Sequence, residues 1–339
     1  MSAAVTVDDF DTYSNYMHAN SVIVLSIGLF TIYLTLFHST KDMGYYKYYI
    51  FNFQLAATLF DLHISFVYAP VPILPAPGIC STSIFSVNAP WYFEYGNYII
   101  MHFTLSYVGV SIFIGLLYRY FALQGNLHFF HSKKGVVIMA LCNLIYPIPV
   151  TITLINGVAS VEESNLYIKT EYPQYYDMFI QNCCYSLSGP LEAIIYVAVA
   201  VSQITAVAVC SGVAMYKINN LMKEKKLNFT KKTYDLHRQL IYSLWVQAFL
   251  PTCFLAIPSV TGFLTLATSL FDLRTVALTV CPVLCLHSAV LGLSTIVMTK
   301  PFRQAAVRII VRPVTFLCKQ KPVQPCVKIT LTQRLSSIA

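Results

Sequence analysis

Asp61, His63, His102 and His287 are the side chains of this 339-residue chain that could hold or pass a proton from within long apolar runs, as an intramembrane hydrolase requires. They fall on three separate runs with no shared local signature, and a lone polar residue at membrane depth more often pairs within its bundle than catalyses. Phosphate loops, HExxH, paired zinc-type cysteine motifs and a nucleophile elbow are missing from the sequence. Cys281 and Cys285 share a helix face, yet no His or carboxylate completes a zinc set beside them. The sequence therefore offers no catalytic residue, no metal ligand and no cofactor motif, and reads as that of a non-enzyme.

The elements that must position these groups are membrane spans. Hydrophobic residues make up 57% of the chain and charged ones 11%, against ~25% charge in an average soluble domain. A helix needs ~20 mostly apolar residues to cross a bilayer. Seven stretches qualify: 20–38, 48–70, 95–118, 135–156, 188–215, 239–266 and 275–299. Threaded alternately, they leave every Lys and Arg except Lys169 and Arg274 on one face. Lys and Arg resist translocation, so that face is cytoplasmic. Losing one span would put the basic segment Lys217 to Arg238 and the basic tail on opposite faces. The expected fold is an all-α membrane protein, a seven-transmembrane-helix bundle with its N-terminus outside and its C-terminus inside. Its expected divisions are an extracellular tail (1–19), the bundle (20–299) and a cytoplasmic tail (300–339). The first run follows Asp8, Asp9 and Asp11 with no basic flank, so it reads as an uncleaved span. No internal repeat supports a transporter built from inverted halves.

Outside the membrane lie Cys80, Cys183 and Cys184, where an oxidising compartment permits disulfides. A bridge from Cys80 to Cys183 or Cys184 would close a long loop, worth ~4–5 kcal/mol on chain-entropy grounds; the alternative is that the adjacent pair merely caps the fifth span. Aromatic residues crowd the same face: Trp91, Tyr92, Phe93, Tyr95 and Tyr98, then Tyr172, Tyr175, Tyr176 and Tyr185. They form an interfacial belt or line a ligand cavity. On the second reading Tyr95, Tyr98, His102, Tyr185 and His287 are the candidate contacts. Glu162, Glu163, Glu171, Asp177 and Glu192 make this mouth negative, which favours neutral or cationic ligands.

Asp61 is the one acid deep inside a span, and an ionised carboxylate there costs ~2.5–3.5 kcal/mol on insertion scales. It must face protein or water, in a hydrogen-bonded site with His63, Ser or Thr that either switches the bundle or only holds it. Pro251, Pro258 and Pro282 each remove an intrahelical hydrogen bond and favour kinks. On the inner face, Lys217 to Lys226 continues the fifth helix with a basic side suited to anionic lipid. Residues 301–311 form a helix of apolar and basic faces lying in the interface, ended by Pro313, with Cys318 a palmitoylation candidate beyond it. Basic charge here implies membrane lipids as partners and no nucleic acid.

In the second span, Phe60-Asp61-Leu62-His63-Ile64-Ser65-Phe66 runs into Pro70-Val71-Pro72-Ile73-Leu74-Pro75 and Gly78. Gln247, Pro251 and Pro258 mark the sixth, and His287-Ser288 is followed by Lys300-Pro301-Phe302-Arg303. Together these resemble the nematode Srh and Sri chemoreceptor families over nearly the whole chain. Met17-His18, Tyr48-Tyr49 and Phe53-Gln54 tilt the resemblance toward Sri. It implies a G-protein-coupled receptor of sensory neurons, at the plasma membrane and in sensory cilia. Such a receptor binds an extracellular small molecule or peptide and activates a heterotrimeric G protein. Asp61, Arg119, Gln247 and Pro251 are then the candidate switch residues. The likeness to broader rhodopsin-like receptors is poorer. Tyr118 replaces the acidic neighbour of the third-span Arg, Trp245 stands six residues before Pro251, and no Asn-Pro-x-x-Tyr closes the seventh span. Arg119 is equally read as an anchor snorkelling to the headgroups. The alternative class is a channel or transporter, which would need polar residues of several spans to converge on one path.

Overall fold

The computed structural model describes residues 6–40, 43–86, 88–225, 238, 241–242, 245–251, 253–254, 257–258, 260–261 and 272–319. Among these, six helical stretches are long and apolar enough to cross a membrane: Asp9–Phe37, Tyr46–Tyr68, Tyr92–Gln124, Lys133–Asn156, Leu191–Glu224 and Leu273–Met298. They match six of the seven expected runs. The other, 239–266, is described only in part, and those of its residues that are described are helical.

Helix ends differ from the apolar runs because a helix persists wherever its backbone is capped and one face is covered, not only where lipid surrounds it. Helix α1 (Val7–Phe37) begins well before residue 20. Asp9 accepts from the Thr6 backbone N–H at 2.9 Å and from the Thr6 hydroxyl at 3.0 Å, holding the first turn. Phe10, Tyr13 and Met17, spaced three and four apart, bury one face of this extension. The expected tail 1–19 is therefore mostly helix. Helix α2 (Tyr46–Leu62) passes into a π-helical turn, His63–Tyr68, that ends on Ala69 in a left-handed conformation. Helix α3 (Trp91–Gln124) stops at Gly125, whose φ of 82° suits a residue without Cβ.

After a short turn of helix, α4 (His128–His131), the fourth span is broken into α5 (Lys133–Ile145) and α6 (Ile148–Asn156). Pro147 and Pro149 each withdraw an amide donor there, and at the break Gln203 donates to the Tyr146 carbonyl at 2.6 Å. The second outer loop carries α7 (Val161–Glu171) and α8 (Tyr176–Gln181). Helix α9 (Pro190–Glu224) is the fifth span with its inner extension. There Met215, Ile218 and Met222 are buried, while Lys217 and Lys223 are exposed. The seventh span is two helices, α10 (Leu273–Leu284) and α11 (His287–Met298), separated at Cys285 and Leu286.

Helix α12 (Lys300–Lys319) runs past Val311 and Pro313, where the sequence predicts an end. A proline withdraws a single amide, the one that would reach the Ile309 carbonyl, and the turns on either side still close. Phe302, Ala305 and Ala306 pack inward, while Val307, Ile310 and the Arg303 and Arg308 side chains face outward. The Cys318 side chain and the sequon Asn228-Phe229-Thr230 lie outside the described residues.

An antiparallel three-stranded sheet in the order β1-β2-β3 covers the outer mouth: β1 (Pro70–Pro72), β2 (Gly78–Ser81) and β3 (Cys184–Ser186). Cys80 opposes Cys184 in the register and is joined to it by a disulfide. Side chains lock the sheet to the helices. The Tyr13 hydroxyl donates to the Pro70 carbonyl at 2.7 Å, and Tyr175 donates to the Leu74 carbonyl at 2.9 Å. Arg274 at the head of α10 holds Asp9 of α1 through two contacts, 2.6 and 3.1 Å.

Candidate functional site

Beneath the sheet, α3, α9, α10 and the described part of the sixth span enclose a cavity of about 1280 Å³. Its wall is hydrocarbon for most of its extent, for example Leu105, Ile112, Val207, Met215 and Trp245. A polar relay stands on one side. Tyr98 donates to the Tyr196 hydroxyl at 2.7 Å, and that hydroxyl lies 2.5 Å from His102 Nε2. Tyr98 and His102 are one helical turn apart on α3, and Tyr196 meets them from α9.

Of the sequence-predicted ligand contacts, the structure brings Tyr98, His102 and Tyr185 to the cavity wall. Tyr95 stands behind them, its ring 5.9 Å from that of Tyr185. His287 is elsewhere, in the bundle interior. Tyr196, which completes the relay, went unnoticed in the sequence. Its signal was a phenol inside the run Ile194-Ile195-Tyr196-Val197, since a buried hydroxyl needs a partner.

Beside this cavity the broken seventh span is clasped by polar groups from α1 and α2. Asp61, with no exposed surface, lies 2.5 Å from His287 Nδ1 and accepts from the Ser288 backbone N–H at 2.8 Å. That amide sits at the start of α11, where a helix leaves donors unpaired, so the carboxylate caps α11 from another helix. Asn20 donates to the Cys285 carbonyl at 3.2 Å, and Gln54 to the Ser288 carbonyl at 3.3 Å. Gly292 lets the helices meet, because a Cβ there would stand 2.7 Å from Thr31 Oγ1. Gln247 of the sixth span donates to Thr295 of α11 at 3.2 Å. Pro251 lines the cavity.

His63, expected beside Asp61, instead meets Asn97 at 3.0 Å. Residues two apart on a helix point to opposite sides, so α2 presents Asp61 to the seventh span and His63 to the third.

At the inner end of α3, Arg119 is 8% exposed and its guanidinium carbon sits 3.3 Å from the centroid of the Tyr46 ring. It turns inward instead of reaching the headgroups, and its Nε and one terminal nitrogen have no hydrogen-bond partner among the described residues. Tyr118 stacks on Tyr49 with centroids 4.3 Å apart. Lys225 at the end of α9 donates to the Leu123 carbonyl at 2.5 Å and so closes the last turn of α3.

At the outer rim, Cys183 remains a free thiol beside the disulfide. Burial, together with the neighbouring Glu94 carboxylate, pushes it up to about 12, so it stays protonated and a poor nucleophile. Glu94 itself has no exposed surface. Among the described residues no group of three or more His, Cys, Asp or Glu side chains could hold a metal.

A membrane bundle with a capped outer cavity, a clasped seventh span and an inward Arg on the third defines a rhodopsin-like seven-helix fold. Squid rhodopsin superposes on it with a TM-score of 0.55 at 11% identity, covering 94% of this chain and 89% of the rhodopsin. More particularly, residues 5–306 match the family described as "Serpentine type 7TM GPCR chemoreceptor Sri", and the chain belongs to that family. A search of curated proteins gives no match.

Proposed function

We propose that this Sri-family receptor is chemosensory. It takes an extracellular small molecule or peptide into the cavity below the sheet and activates a heterotrimeric G protein at its inner face. It acts at the plasma membrane, in the sensory cilia of neurons, as family membership suggests. The observation that carries the reading is the arrangement of three stations in the bundle: a cavity that runs inward from the outer sheet as far as Met215, the Asp61–His287 clasp beside it, and Arg119 on Tyr46 at the inner end. A ligand that binds one arrangement of these stations better than the other shifts the receptor; one that binds both equally shifts nothing. The basic side of α9 and the start of α12 border the inner mouth and suit both anionic lipid and a protein partner.

The hydrocarbon wall of the cavity argues against a channel or transporter, for which a polar path would have to continue across the membrane. In liposomes, receptor with heterotrimer should accelerate guanine-nucleotide exchange when ligand is added, and receptor alone should pass no ions. Ion flux without G protein, with exchange unchanged, would reverse the assignment.

A further inference from the structure

The cavity wall carries no Asp, Glu, Lys or Arg among the described residues. A charged ligand would leave its ion uncompensated in a low-dielectric site, and that penalty is large. The wall does carry hydrogen-bonding groups: the Tyr185 and Ser211 hydroxyls, buried with no partner among the described residues, and the relay of Tyr98, Tyr196 and His102, in which three hydrogens serve two hydrogen bonds and one is left over. Among the described residues the Tyr98 hydroxyl has a single partner, the Tyr196 hydroxyl, to which it donates. Tyr196 accepts there and has its own proton free for His102 Nε2; the opposite sense, Nε2–H to Tyr196, would instead leave that phenol hydrogen unspent on the same wall. With Nε2 accepting, the uncharged ring carries its hydrogen on Nδ1. Among the described residues Nδ1 meets no hydrogen-bond partner, and His102 lines the cavity. A donor left unspent in an apolar cavity is costly, whereas an under-used acceptor is cheap.

We infer that the ligand is an uncharged, hydrocarbon-rich molecule bearing a hydrogen-bond acceptor, such as a ketone or ester oxygen, which docks on the His102 Nδ1 hydrogen. This rests on the receptor reading above and chooses between the small molecule and the peptide it left open. A free peptide brings charged termini and many amide donors that this wall cannot pair. A volume of about 1280 Å³ exceeds the ~300–1,000 Å³ of common small-molecule sites, so a long alkyl chain can extend toward Ile112 and Met215.

The test uses the full-length protein in lipid nanodiscs without G protein, labelled by a photoactivatable long-chain methyl ketone. Competitors of equal carbon count are methyl nonyl ketone, undecane, undecanoate and undecylammonium. Labelling should map to α3 and α9, and the ketone should displace it at about tenfold lower concentration than undecane, the worth of one hydrogen bond. The two ions should not displace it. Undecane matching the ketone, either ion displacing as well, or labelling away from these helices would overturn the inference.

A pair of variants isolates the nitrogen. His102→Asn keeps an amide near the Nδ1 position and should hold the preference for ketone over undecane within about threefold; His102→Gln reaches only toward Tyr196 and should lose it. The reverse pattern would contradict the proton assignment. Because no G protein is present, failure to couple would leave these results intact. Conversely, a coupled receptor preferring a cation would refute only the ligand class.

Discussion

Arg119 concentrates the signalling question at the scale of one side chain. Among the described residues no carboxylate partners it, and the π face of Tyr46 offers it attraction in place of an ion pair. Arg119→Ala should abolish ligand-driven nucleotide exchange while surface delivery and ligand affinity stay within a few-fold; an unchanged exchange rate per surface receptor would remove the role. Tyr118→Asp supplies the missing acid and should lower basal exchange by holding Arg119 inward. The Asp61–His287 pair makes a different demand, since removing one member strands the other in the interior. His287→Leu should cost ~3–5 kcal/mol, and adding Asp61→Asn should recover part of it, because Asn still accepts from Ser288. Thermal unfolding of the purified variants decides: a double variant no more stable than His287→Leu alone would show that the pair is not coupled. Asp61 stood out in the sequence as an acid at membrane depth, and Arg119 as the basic residue at the inner end of the third span. Their partners did not, because helix phase separates Asp61 from His63 and the residue that meets it lies 226 positions on, at the far end of the chain.

At the scale of elements, hydropathy located spans but not helices. It measures contact with lipid, so the Phe10, Tyr13 and Met17 face that extends α1 above the bilayer left no mark on it. The division of the fourth span was foreshadowed by Pro147 and Pro149, and that of the seventh by Pro282, yet the break falls at Cys285 and Leu286, where Asn20 and Asp61 supply partners from other helices. The outer sheet was not legible at all: its strands are three or four residues long and one comes from a loop a hundred positions away. Cysteine placement limited the bridge to two choices, and strand register decides between them, because Cys80 faces Cys184. Cys80→Ser and Cys184→Ser should therefore reduce surface delivery to the same degree, and Cys183→Ser should leave it near the parent level. A Cys183→Ser loss equal to that of Cys80→Ser would mean the thiols pair differently in the cell.

At the scale of the whole molecule, orientation follows from charge: the basic residues cluster at one end of the bundle and the sheet closes the other. Asn228 lies in the Lys-rich connection before the sixth span, so it should carry no glycan; a glycan there, found by mass spectrometry of receptor from cells, would invert the topology. The larger claim is that the outer cavity and the inner face are two sites on one two-state bundle. Coupling of that kind is reciprocal, because whatever factor the ligand adds to G-protein affinity the G protein must return to the ligand. The direct measurement is ligand affinity, read by competition with the photoactivatable ketone, in nanodiscs with and without nucleotide-free heterotrimer. Affinity should rise by about 5–150-fold when the heterotrimer is present and should not rise in Arg119→Ala; equal affinity with and without it would contradict the account.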